Sequence, residues 1–182
     1  MSNTKWKLDL AHSELSFKIK HLMITNVSGT FKNFNVDVET DGVDFTSAVV
    51  KAVVDVPSIT TNNDQRDQHL RNSDFFEADQ HPQIVFQSTS VDKEDDTTFA
   101  IAGDLTMKGV TRPVVLAVEL GGVTKDPWGN EKAGFTISGK LNRNDWGINF
   151  NSALETGGVM LGEEVKIHGE IQLVKQAAAV AA

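Results

Sequence analysis

Thr97-Thr98-Phe99-Ala100-Ile101-Ala102-Gly103-Asp104-Leu105-Thr106-Met107-Lys108-Gly109-Val110 is the stretch on which the fold turns. Phe99, Ile101, Leu105 and Met107 share one parity and Asp104 and Thr106 the other, the period-two pattern of a strand with one buried face. Lys108-Gly109 supplies a tight hairpin turn. After it Val114, Leu116, Val118 and Leu120 resume the alternation. The strand from Thr97 to Met107 would extend roughly 37 Å at about 3.4 Å per residue. Gly103 stands at an apolar-parity position inside it, as Gly139 and Gly169 do in later segments. Such glycines mark places where a long strand coils or where something packs close to the backbone.

The same alternation runs to both ends of the chain. Trp6, Leu8 and Leu10 show it, then Leu15, Phe17 and Ile19, then Phe135, Ile137 and Leu141, and finally Val165, Ile167, Ile171 and Leu173. Ala48 to Val56 and Ile84 to Val91 are strands of weaker pattern. Val27 and Phe31 share a parity that Phe34, Val36 and Val38 do not, so a bulge or bend is expected at Lys32-Asn33. The one helical segment is Asn63 to Asn72, short and polar, with Thr61, Asn62 or Asn63 as its cap. No repeat or linker divides the chain, which reads as one domain over residues 1–175 with a frayed tail at 176–182.

Eight or so strands with one apolar face each, and almost no helix to cover a sheet, leave two closures: a sandwich or a barrel. Long strands carrying glycines favour the barrel. The expected fold is therefore all-β: an antiparallel eight-stranded barrel with one short helix.

Composition narrows the function. The chain has 17 Lys+Arg against 25 Asp+Glu, a net charge of −8, which disfavours nucleic acid and anionic lipid surfaces as partners. It has no cysteine, so disulfides, thiolate metal sites and thiol nucleophiles are excluded. No apolar run reaches the roughly 18–20 residues of a membrane span, and the N-terminus lacks a signal-peptide pattern, which points to the cytoplasm.

Catalytic spacing is absent. His12, His21, His69, His81 and His168 form no metal-binding pair, so no metal or cofactor is expected. His168 falls on a polar parity, His81 precedes Pro82 in a turn, and His12 suits turn stabilisation better than chemistry. The apolar parity is more informative. A closed eight-stranded barrel has room for one small ligand, and an alkyl chain filling it gains about 0.8 kcal/mol per buried methylene.

Several blocks carry a family resemblance: His12-Ser13 with Phe17 and His21; Gly29-Thr30-Phe31; Asp67 through Phe76; His81-Pro82-Gln83-Ile84-Val85-Phe86; Gly103 through Val114; Leu141 through Ile148; and Gly162-Glu163-Glu164-Val165. In this order they resemble the YceI-like family of lipocalin-like polyisoprenoid-binding proteins. The resemblance implies a barrel with an elongated apolar cavity for a polyisoprenoid or other long-chain lipid, and often a homodimer. It brings no catalytic residues. Together with the alternation it gives the expected cavity wall: Leu15, Phe17, Ile19, Phe31, Phe34, Phe86, Phe99, Ile101, Leu105, Phe135, Ile137, Leu141, Val165 and Ile167. Leu70, Phe75 and Phe76 would carry the helical segment across or beside the barrel. His12, Asn142 and Arg143 are the head-group candidates, although Arg143 would equally suit pairing with Asp145. The leading expectation is a non-catalytic carrier. The alternatives are an enzyme acting on such a lipid through His12 or Arg143, and a stress-response interaction protein with a packed barrel.

Overall fold

The computed structural model describes residues 3–177. The strands are β1 (Asn3–Leu8), β2 (Glu14–His21), β3 (Thr25–Phe31), β4 (Phe34–Asp41), β5 (Asp44–Asp55), β6 (Ile59–Thr60), β7 (Gln83–Lys93), β8 (Thr98–Met107), β9 (Val110–Lys125), β10 (Glu131–Asn142) and β11 (Leu161–Lys175). All pair antiparallel, and β11 pairs with β10, β1 and β2, which closes the sheet. Three paths are kinked: β1 runs into β2, β3 into β4 and β5 into β6. Counted as continuous paths these are eight strands of an antiparallel closed barrel, not a sandwich.

The kink between β3 and β4 falls at Lys32-Asn33, where the parity shift placed it. There the sheet ladder gives way to other bonds: Lys32 N donates to Ser58 O, and Asn33 N to Ser58 Oγ. The bend lets Phe31 and Phe34 both be buried despite opposite parity. Lys108 (φ 50°) and Gly109 (φ 75°) take the left-handed conformations of a two-residue hairpin between β8 and β9.

The helix α1 (Asp64–Arg71) is capped by Asn63, whose side chain accepts from Arg66 N at 3.0 Å. Buried Asp67 accepts from Thr61 N at 2.8 Å and from its hydroxyl, which ties α1 to the end of β6. At the other chain end, Gln176 N donates to Lys5 O at 2.8 Å. The remainder of the expected frayed tail, 178–182, lies outside the described residues.

The two barrel ends differ. At the end formed by the β4–β5, β7–β8 and β9–β10 turns, Trp6 lies 5.5 Å from Phe45, and Phe45 lies 5.0 Å from Phe135, ring centre to ring centre. Trp6 is fully buried, with its indole donating to Thr40 Oγ1 at 3.0 Å. Phe99 and Ala133 are also buried toward this end. The opposite end carries α1, the β2–β3 and β8–β9 turns, and the long connection from Arg143 to Met160.

Candidate functional site

A cavity of about 360 Å³ lies toward that second end. Its wall comes from the inward parity of β2, β3, β4, β5, β7, β8, β9, β10 and β11, closed over by α1, Phe75, Phe76, Ile148 and Phe150. Apart from Ser16, His21, Thr61, Arg66, His69 and Arg143, every lining residue is apolar. Leu15, Phe17, Ile19, Ile137 and Ile167 line the cavity and are only half-buried.

Most of the expected wall residues line this cavity: Leu15, Phe17, Ile19, Phe31, Phe34, Leu70, Phe75, Phe76, Phe86, Ile101, Leu105, Ile137, Leu141, Val165 and Ile167. Phe99 and Phe135 do not. They share the wall's parity but sit near the closed end, Phe135 packed edge-on against Phe45. Parity fixes which face a residue takes and says nothing of its height along the barrel axis.

The head-group candidates separate. His12 is exposed outside the cavity, in a one-turn segment, with Nδ1 2.9 Å from Asp9 Oδ2. Asn142 is exposed as well and accepts from Asn144 N at 3.0 Å, capping the turn Arg143–Trp146. Arg143 alone reaches the cavity wall. It is buried, with Nε donating to Gly162 O and Nη1 to Ile148 O and Phe150 O, each at 2.8 Å. It does not pair with Asp145. Its Nη2 has no partner among the described residues. Burial pushes this guanidinium below its ordinary pKa, opposed by the charge of Glu163. The turn that aims it ends on Gly147 (φ 74°) and is anchored by buried Trp146, whose indole donates to Leu105 O at 3.0 Å.

A YceI-like domain family model matches residues 6–173. The chain belongs to the YceI-like domain family. A UPF0312 protein of Staphylococcus epidermidis is 44% identical over 170 residues, covering 93% of this chain and 96% of that relative. The Campylobacter jejuni YceI protein has a solved structure that superposes with a TM-score of 0.76 at 33% identity, over 93% of this chain and 97% of that one. A polyisoprenoid binding domain from Saccharophagus degradans superposes with a TM-score of 0.70 at 14% identity, over 94% and 98%, a likeness of fold alone.

In this YceI-like barrel, sequence reasoning missed Arg66 and His69 as lining residues. Arg66 holds Thr61 through its hydroxyl (2.7 Å) and carbonyl (2.8 Å). His69 stands edge-on to both Phe75 and Phe150, at 5.0 and 4.8 Å, with Nε2 2.9 Å from Asp74 Oδ2. Phe150, Met160 and Leu161 were missed too, since they lie in or beside an irregular connection where alternation carries no signal. Val36, Ile84, Val114, Leu116 and Val118 follow the inward parity and were legible from it. No helix among the described residues is long and apolar enough to cross a membrane.

Proposed function

We propose that this protein is a non-catalytic carrier of a long-chain isoprenoid or similar lipid, held in the barrel cavity with its polar end toward Arg143. The observation that carries the reading is the cavity itself: about 360 Å³, apolar save for six residues, blocked by aromatic packing at one end. Burying an alkyl chain there gains about 0.8 kcal/mol per methylene. A dry apolar void of that size would cost on the order of 9 kcal/mol, comparable to a domain's whole stability. A slender hydrocarbon is the tenant whose shape and polarity fit. The polyisoprenoid binding described for the Saccharophagus degradans domain supports the same class of ligand for this fold.

Arg143 is the polar group suited to a head group. Its three bonded hydrogens go to backbone carbonyls, and its enclosed Nη2, unpartnered among the described residues, would meet a ligand oxygen once the wall beside it gives way. Enzymatic action on the lipid through His12 is disfavoured, because His12 stands outside the cavity, tied to Asp9.

Mass spectrometry of organic extracts from purified protein should reveal a co-purified lipid. Apoprotein should gain thermal stability with long-chain isoprenoids. An extract without lipid, combined with no stabilisation by any isoprenoid alcohol, quinone or fatty amide, would refute the carrier reading.

A further inference from the structure

We infer that the outer face beside the β2–β3 turn, at the cavity's end of the barrel, is a docking surface for an anionic lipid bilayer. Two features that the cavity does not use meet there. Strands β10, β11 and β2 set Lys140, Lys166 and Lys18 in one cross-strand row, Lys140 registered with Lys166 and Lys166 with Lys18. Lys20 follows two residues along β2, on the same face. Like charges opposite one another on neighbouring strands repel. None of these four lysines joins an ion pair among the described residues. Lys18, Lys140 and Lys166 border an outer groove whose lining holds one carboxylate, Glu94. Glu164 is nearby on β11 but registers with uncharged Asn142. In a chain of net charge −8 this is a local reversal of sign, and it overrides the expectation from net charge that anionic lipid surfaces would be avoided.

The second feature is the β2–β3 turn. Leu22, Met23 and Ile24 are 40%, 53% and 81% exposed, three successive apolar residues at the tip of the hairpin that carries Lys18 and Lys20. Leu22 N donates to Met160 O at 2.8 Å, and the Met23 side chain lies against Gly158. The tip is thereby fixed to the segment whose Met160 lines the cavity, as His21 does.

An apolar tip flanked by lysines matches a membrane interface, where apolar side chains enter the boundary between head groups and acyl chains and ammonium groups meet lipid phosphates. An acidic protein surface would match the lysines and leave Ile24 without a counterpart. A bilayer uses both, and it is the store from which the cavity's lipid would be drawn. In that purpose the inference rests on the carrier reading, but docking is measurable with no lipid in the cavity.

The test is co-sedimentation of the purified full chain with phosphatidylcholine vesicles, with and without phosphatidylglycerol. Tighter binding to the anionic vesicles, weakened by salt, is expected. K18Q/K166Q should lower that affinity by roughly thirty-fold, and Ile24→Asp by about tenfold. Lys175→Gln, at the closed end, should leave it unchanged. Circular dichroism of each variant checks that the barrel is intact. Equal binding of the parent to both vesicle types, or parental binding by K18Q/K166Q, would overturn the docking surface. So would lysine-dependent binding to polyglutamate with no loss on vesicles. A failure here leaves the cavity's lipid, read from extracts, untouched.

Discussion

Phe86 and Gly103 meet across the β7–β8 ladder in a fit that admits no side chain. A β-carbon at Gly103 would stand 2.5 Å from Phe86 Cζ and 2.6 Å from Gln87 O. The second contact is backbone, so the strand itself would have to move. Gly103→Ala is expected to lower stability by about 1–3 kcal/mol. Urea unfolding monitored by circular dichroism measures it, and a cost under half a kcal/mol would show that the strands shift freely.

Ala52 lines the cavity from β5 and is the smallest side chain in its wall. Ala52→Phe would occupy space for about four methylenes of ligand. At about 0.8 kcal/mol each, affinity for a long-chain ligand should fall on the order of a hundredfold. Displacement of a fluorescent fatty-acid probe reads the change, while thermal unfolding should stay near the parent's.

Phe135 gives the converse case. It packs edge-on to Phe45 at the closed end and does not line the cavity. Phe135→Leu should cost about 1–2 kcal/mol of stability through lost aromatic contact and leave probe affinity within twofold of the parent. A large affinity loss would mean that the cavity extends through the plug.

Arg143→Lys keeps the charge but cannot reach three carbonyls in a planar fork. Losing charge-assisted bonds to Gly162, Ile148 and Phe150 should cost about 3 kcal/mol. Affinity for an isoprenoid bearing a terminal oxygen should fall more than affinity for the bare hydrocarbon, compared by calorimetry at a temperature where the variant is folded. Equal losses for both would remove the head-group role.

Asp9 gives a pH dependence. Its carboxylate binds His12, Lys132 at 3.1 Å and Gln172 at 3.2 Å, joining the β1–β2 turn to β10 and β11. The hydrogen bond with His12 does most to hold its pKa below the usual value; partial burial opposes it and Lys132 adds to it. A carboxyl depressed in the folded state contributes stability that is complete above its unfolded pKa, about 3.9, and is lost as pH falls through the lower folded value. Asp9→Asn should cost about 1–2 kcal/mol at neutral pH. The gap to the parent should close at acid pH, in melting curves taken across that range.

Much of the barrel was legible because alternation is a direct image of a sheet with one apolar face. The Lys32-Asn33 bend and the Lys108-Gly109 turn each follow from a local rule and appear where that rule puts them, and of the three possible caps Thr61, Asn62 and Asn63 the helix uses the last. What was not legible depends on distance along the axis. Phe99 and Ile101 stand two apart on one face of β8, yet only Ile101 lines the cavity. Arg66 and His69 were unreadable for another reason: a polar helix gives no sign of which end of a barrel it will cover. Arg143 was foreseen as a candidate, but its three carbonyl partners arise from the fold of an irregular connection that no periodicity describes.

The wall of this barrel is not equally strong all round. Strand β6 pairs with β3 over two residues, and among the described residues it has no ladder to β7; α1 and its flanking turns span that stretch. Parting the seam breaks few backbone bonds, whereas separating β10 from β11 would break a long continuous ladder. On the carrier reading, this short-laddered panel is the place where a guest would pass, and a variant that stiffens it should slow the exchange of a bound probe.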